Sequence, residues 1–219
     1  MRAIFERYRL CVREKGFGFS LAVSFALLVV GVVVTWFAIV YATERSSNSV
    51  SDVILSNIPV FDVDGIFLYG PVIYWVIIGL YLLSHPEKLP FSLKTIGLFL
   101  LIRSAFISMT HIGPFIPNST TTGGIIGVFT TGNDLFFSSH TGLPFLMGLM
   151  LWKNEYMRYF SLAASVFFGA VVLMAHLHYS IDVFAAFFIT FSIFSIAKVF
   201  FKRDFTRSNL RMEVGPRSD

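Results

Sequence analysis

The sequence predicts an all-α, polytopic membrane protein with six transmembrane helices and both termini in the cytoplasm. Three observations carry this. Charged residues make up only 14% of the 219 residues while 55% are hydrophobic; a soluble domain carries about 25% charged residues. The apolar residues gather into six runs, each close to the roughly 20 residues that cross a bilayer core. Most of the 17 basic residues fall at the chain ends and in alternate loops, as the preference of Lys and Arg for the cytoplasmic side requires.

The runs are 17–41, 65–83, about 93–112, about 136–152, 159–175 and about 179–201. The fourth and fifth are short for a crossing. Arg2, Arg7, Arg9, Arg13 and Lys15 precede the first run; Lys88 and Lys94 lie at the start of the third. Lys153 and Arg158 join the fourth to the fifth; Lys198, Lys202, Arg203, Arg207, Arg211 and Arg217 end the chain. The other side keeps only Arg45, and Arg103 lies inside a run. An odd number of spans would put the tail on the wrong side. The first run exceeds the about 7–15 residues of a signal-peptide core, so it reads as a retained span. The chain therefore divides into a cytoplasmic segment 1–16, a six-helix transmembrane domain 17–201 and a cytoplasmic tail 202–219. Residues 1–15 read as an amphipathic surface helix, and 204–219 as a polar, mobile tail.

Composition also excludes functions. One cysteine, Cys11, rules out an internal disulfide framework and a Cys-rich zinc site. The net charge of +4 sits on membrane flanks rather than along a nucleic-acid-binding stripe.

With this topology, His111, His140, His176 and His178 all lie at the outer face, with Asp134 and Asp182; only His85 lies inside. His178 and Asp182 are four apart. On one helical face they are close enough to bond, and the carboxylate would fix the imidazole tautomer; a plain helix-start cap is the bland reading. His140 follows Ser138 and Ser139, which are placed to cap the fourth helix, and a helix start attracts phosphate. Pro144 marks either the first turn of that helix or a kink in it. Arg103, in LFLLIRSAF, is too costly in lipid to stand alone and must meet an anion. Asp62, Asp64 or Asp134 is the structural candidate, a substrate phosphate the functional one. Two histidines, a paired carboxylate and an intramembrane Arg are parts for metal-independent phosphoryl transfer.

GNDLFFSSHTG (132–142) resembles the Gly-Asp-x-x-x-Ser-Gly-His-Thr motif of the sphingomyelin synthase family. AHLHYSIDVFAAFFIT (175–190) resembles its Ala-His-x-His-Tyr-Thr-Ile-Asp-Val motif. The Arg103 helix and, weakly, SNIPVFD (56–62) extend the likeness over roughly 55–190. The wider group is the type 2 phosphatidic acid phosphatase (PAP2) superfamily, and the resemblance implies its helical bundle. It also implies a catalytic triad: His178, oriented by Asp182, forms a phospho-histidine, and His140 serves as acid and then base. Arg103, Ser139 and Asp134 are implied to bind the substrate phosphate. Asn133 is inserted after Gly132, and Ser139 stands where the family has Gly. The phosphatase signature is incomplete: Lys94 and Arg103 are wrongly spaced, no Pro follows Arg103, and Val172 stands six before His178 in place of Arg.

The expected activity is therefore a lipid phosphotransferase at the non-cytoplasmic face. It would move a phosphate or phospho-headgroup from a phospholipid donor to a lipid hydroxyl, or to water in a phosphatase or phospholipase C-type hydrolase. No cofactor, metal or nucleic acid is expected, and a homo-oligomer is left open. A transporter or channel built around Arg103, and a metal site of His140, His176, His178 and Asp182, are the readings from other classes. Asn118-Ser119-Thr120 is a glycosylation acceptor, and 118–132 a nearly uncharged loop that reads as a lid over the site or a mobile segment.

Overall fold

The computed structural model describes residues 2–115 and 135–210. The glycosylation triplet, the 118–132 loop and the end of the tail lie outside them. Every regular element among the described residues is helical. They are α1 (Arg2–Arg13), α2 (Phe17–Glu44), α3 (Asp64–Ser84), α4 (Leu89–Met109), α5 (Ser139–Met150), α6 (Glu155–Met174), α7 (Ser180–Phe200) and α8 (Lys202–Leu210), with single 3-10 turns at Leu55–Asn57 and Pro86–Lys88.

Five stretches are long and apolar enough to cross a membrane: Phe17–Glu44, Asp64–Ser84, Pro86–Met109, Glu155–Met174 and Ser180–Phe200. These are five of the six expected spans, with ends shifted by a few residues. Their outward faces carry side chains that water would not tolerate in such density: Phe19, Leu80 and Phe188 are 77%, 64% and 76% exposed. This is the surface of an integral membrane protein, its apolar side chains turned outward to lipid.

The fourth expected span, 136–152, is different. Its helix, α5, has 12 residues and is about 18 Å long, against the ~30 Å of a bilayer core. The reason lies just before it. Phe136 and Phe137 adopt φ of 116° and 29°, a region costly for side chains that carry a Cβ, so the helix cannot start until Ser139. Pro144 lies inside α5 and removes the N–H that would bond the His140 carbonyl.

α4 is the most enclosed of the five long stretches. α2 lies against it through two glycines: a Cβ on Gly31 would sit 3.0 Å from the Gly97 carbonyl oxygen, and one on Gly97 2.9 Å from that of Leu27. Small residues permit this backbone approach between membrane helices. Thr35 and Ser104 hydroxyls bond across it at 3.0 Å, fully enclosed. On its other sides α4 meets a core that includes Ile78, Phe91, Phe99, Leu146, Met147 and Ile193.

Both ends of the described chain meet at one end of this bundle. Arg203 donates to the Lys15 carbonyl (2.8 Å), and Arg207 pairs with Glu14 (3.1 Å). Asp204 binds Lys94 at 2.6 Å, Arg207 at 2.9 Å and the Ser20 hydroxyl at 2.8 Å. Residues 204–210 are thus no mobile tail, contrary to the sequence expectation for 204–219. Asp204 and Arg207 are buried, and burying such charges demands the partners that lock α8 in place. The expected surface helix is α1: Tyr8 bonds the Leu83 carbonyl (2.9 Å), Cys11 is buried, and Phe5 and Val12 stay exposed.

Candidate active site

The opposite end of the bundle gathers the polar residues. α7 begins at Ser180, and Asp182 is its third residue. One carboxylate oxygen of Asp182, Oδ2, accepts from the Tyr179 backbone N–H (3.1 Å) and from His178 Nδ1 (3.2 Å). Asp182 therefore caps the turn and bonds the histidine with one oxygen. The geometry differs from a shared helical face, since His178 precedes α7 and turns back onto it. An ionised carboxylate only accepts, so in a neutral imidazole this bond places the proton on Nδ1 and leaves Nε2 its lone pair. His178 and Asp182 are 5% and 1% exposed, which keeps water from competing for the bond.

The start of α5 is tied to the same turn. The Ser138 N–H donates to the Asp182 carbonyl at 3.0 Å. Ser138 occupies the position before the helix, but its hydroxyl makes no capping bond, so the expected serine cap does not form. The residue is held by its N–H instead. Ser139 and His140 follow as the first two residues of α5, both half-buried. The His140 ring lies tilted against Phe67 of α3, centroids 4.6 Å apart. Beside it a cleft of about 100 Å³ opens between α3, α5 and α6, lined by Tyr74, Trp75, His140, Leu143, Pro144 and Phe168 among others.

Arg103 enters from α4. It is 2% exposed, and its Nε donates to the Phe137 carbonyl at 3.2 Å. That carbonyl belongs to the non-helical stretch before α5, where backbone at membrane depth needs protein partners. Thr110 supplies another, its hydroxyl donating to the Leu135 carbonyl at 3.1 Å. Arg103 lies six residues before the end of α4, about 9 Å along its axis. Asp62 and Asp64 are exposed and form no salt bridge with it; Asp134 lies outside the described residues. The structure thus joins His178, Asp182, Ser138, Phe137 and Arg103 through a chain of bonds, with Ser139 and His140 next in sequence.

Asp52 was not foreseen. It is 8% exposed in the α2–α3 connection. Its Oδ1 accepts from the Ile54 and Leu55 N–H groups (2.9 and 3.0 Å), and its Oδ2 from both the N–H and the hydroxyl of Ser180 (2.8 Å each). Burial pushes its pKa up, but the bonds from Leu55, Ser180 and Ile54 outweigh this and hold it below the ordinary carboxylate value. The carboxylate also meets the positive end of the α7 dipole. Locally, Asp52 reads as a cap for the 55–57 turn; nothing in the linear sequence points to Ser180, 128 residues on. Tyr179 completes the strap: its hydroxyl donates to the Gly113 carbonyl (2.8 Å) and accepts from the Val50 N–H (3.1 Å).

Among the described residues no three His, Cys, Asp or Glu side chains converge as a metal-ligand set, so the four-residue metal site weighed from the sequence does not come together there. His176, buried at the end of α6, has no hydrogen-bond partner for either ring nitrogen among the described residues.

Residues 131–199 match the model of the PAP2 superfamily C-terminal domain. The match covers both histidine motifs and supports membership of that superfamily, whose members are phosphatase-type enzymes acting on lipids. No curated protein and no solved structure matches the chain.

Proposed function

We propose that the protein is an integral membrane phosphotransferase that moves a phosphate or phospho-headgroup between lipids, in the manner of sphingomyelin synthases. One observation carries this most: the Asp182 turn that orients His178 also holds, through Ser138, the start of the helix that bears His140. Two histidines from distant motifs are thereby tied to one turn, with Arg103 bonded to the same stretch.

In the first step His178 Nε2 attacks phosphorus. The N–P bond forms as the P–O bond to the leaving alcohol breaks, and His140 gives that oxygen its proton. In the second step His140 takes the proton of an acceptor hydroxyl. Its oxygen attacks phosphorus and the N–P bond breaks, restoring His178. Arg103 offsets the charge on the phosphoryl oxygens and Ser139 donates a hydrogen bond to them; Asp134, itself an anion, cannot offset that charge. Asp182 stabilises the imidazolium and its orientation. No step calls on a metal.

The acceptor separates a transferase from a hydrolase; Val172, where the phosphatase signature has Arg, favours the transferase. The site end is the non-cytoplasmic one, because the opposite end carries α1, α8, Lys94 and Lys153. Counting α5 with the non-helical stretch before it as a crossing makes six spans with both termini cytoplasmic.

The test is a purified sample in mixed micelles given labelled phospholipid, with and without a ceramide-like acceptor. Label is expected on the acceptor lipid, with water as the minor sink. His178→Ala abolishes both; full activity in that variant refutes the assignment.

A further inference from the structure

His176 is the one residue of the 176–182 motif with histidine chemistry that the reaction above leaves unused. Its backbone is the first clue. α6 ends in a Schellman arrangement: the Leu177 N–H donates to the Val172 carbonyl (2.9 Å) and the His176 N–H to that of Leu173 (3.0 Å). The residue at the exit of such a turn adopts a left-handed conformation, and here His176 has φ 53°. Glycine is favoured there because a Cβ crowds the backbone. Histidine is therefore strained where glycine would not be.

The second clue is the ring. It is 8% exposed, and neither nitrogen has a hydrogen-bond partner among the described residues. A histidine kept for structure bonds at least one nitrogen when buried. Here two costs fall on one residue, and such costs gather where a ligand repays them. The third clue is place. The His176 ring packs edge-on against Phe115 (5.4 Å), which also packs against Tyr179 (6.0 Å). His176 and Tyr179 thus flank His178 in sequence and share one neighbour in space.

We propose that His176 is a ligand of the lipid's phosphorylated headgroup, donating a ring N–H to one of its anionic oxygens. This rests on the phosphotransfer reading above. A neutral imidazole has one N–H to give, and a phosphate oxygen accepts it. In the bound state the ring gains the partner that the described residues do not give it. The histidine then contributes to holding the substrate, while His178 performs the displacement.

The test compares His176→Gly and His176→Asn with the full-length protein in detergent micelles. Glycine relieves the backbone strain and removes the ring. Asparagine tolerates the left-handed turn and keeps a donor. Three quantities are read: thermal unfolding, Kd for dioctanoyl phosphatidic acid and dioctanoyl phosphatidylcholine by calorimetry, and KM and kcat on the same lipids. For H176G the melting temperature is expected to equal or exceed that of the wild type. Kd and KM should rise about tenfold or more, the worth of one hydrogen bond to a charged group, with kcat little changed. H176N should fall between. A lowered melting temperature in H176G makes the ring structural and overturns the proposal; so does unchanged Kd and KM against a wild type that binds these lipids. A wild type that neither binds nor turns over either lipid overturns the phospholipid reading, and this inference with it.

Discussion

Replacing Asp182 with Asn separates two roles held by one carboxylate oxygen. Oδ2 accepts from the Tyr179 N–H at 3.1 Å and from His178 Nδ1 at 3.2 Å. Asparagine keeps an acceptor oxygen that can still cap the turn, but it has no charge to hold the imidazole as it becomes positive. The stability loss is then one charge-assisted hydrogen bond, about 1.5–3 kcal/mol. The loss in kcat should be far larger, on the order of 10²–10⁴-fold, because tautomer and imidazolium stabilisation both fail. Asp182→Ala removes both bonds. It leaves a backbone N–H and a ring N–H unpaired in a site where His178 is 5% exposed. At about 1–3 kcal/mol for each orphaned donor, this costs roughly 2–6 kcal/mol, a large part of a protein's whole stability. The assay pairs initial rates of label transfer with thermal unfolding of the same preparations. D182N within threefold of wild type, at an unchanged melting temperature, refutes the reasoning: the carboxylate would then be a cap and nothing more.

Other sites give sharper splits. Arg103→Lys keeps the charge but cannot fork, so kcat/KM should fall about 10²-fold with a smaller loss of stability; wild-type rates in steady-state kinetics contradict a phosphate role for Arg103. Asp52 has a folded pKa below its ordinary 3.8, so its stabilisation is fully present above that value and is lost as pH falls through the depressed one. Melting temperatures should therefore fall more steeply for wild type than for Asp52→Asn as pH drops below that ordinary value of 3.8; equal slopes there contradict the clamp on Ser180. Gly113→Ala puts a Cβ onto the Ser47 carbonyl oxygen and should cost about 1–3 kcal/mol, read as a lowered melting temperature. Gly18→Ala, with open space around it, is the control and should be neutral or slightly stabilising.

Much of the fold was legible because lipid leaves so few choices. Every backbone group in the hydrocarbon must be bonded within its own segment, so long apolar runs become helices, and five did. The fourth run holds a helix of only 12 residues, because hydropathy reports solvent preference, not backbone conformation. Phe136 and Phe137 are as apolar as any residue of a span, yet both leave helical geometry and present the Phe137 carbonyl to Arg103. α8 misled in the opposite way. KRDFTRSNL reads as solvated tail, and only its position beside Lys94, Ser20 and Glu14 turns Asp204 and Arg207 into buried ties. At the site, the His178–Asp182 pair was visible because four-residue spacing is local information. The bond from Ser138 to Asp182 and the reach of Asp52 to Ser180 were not, because both join segments far apart in the chain.

The central claim is that His178 carries the phosphoryl group between donor and acceptor. It is tested most directly by quenching the enzyme during turnover with a phosphorus-labelled phospholipid and locating the label by mass spectrometry. An acid-labile phosphoryl group, bare or carrying the headgroup, is expected on the peptide spanning 176–182, assigned to His178, absent from His178→Ala and discharged by added acceptor lipid. A protein that turns over normally with no phosphate on histidine, or with the label elsewhere, contradicts it.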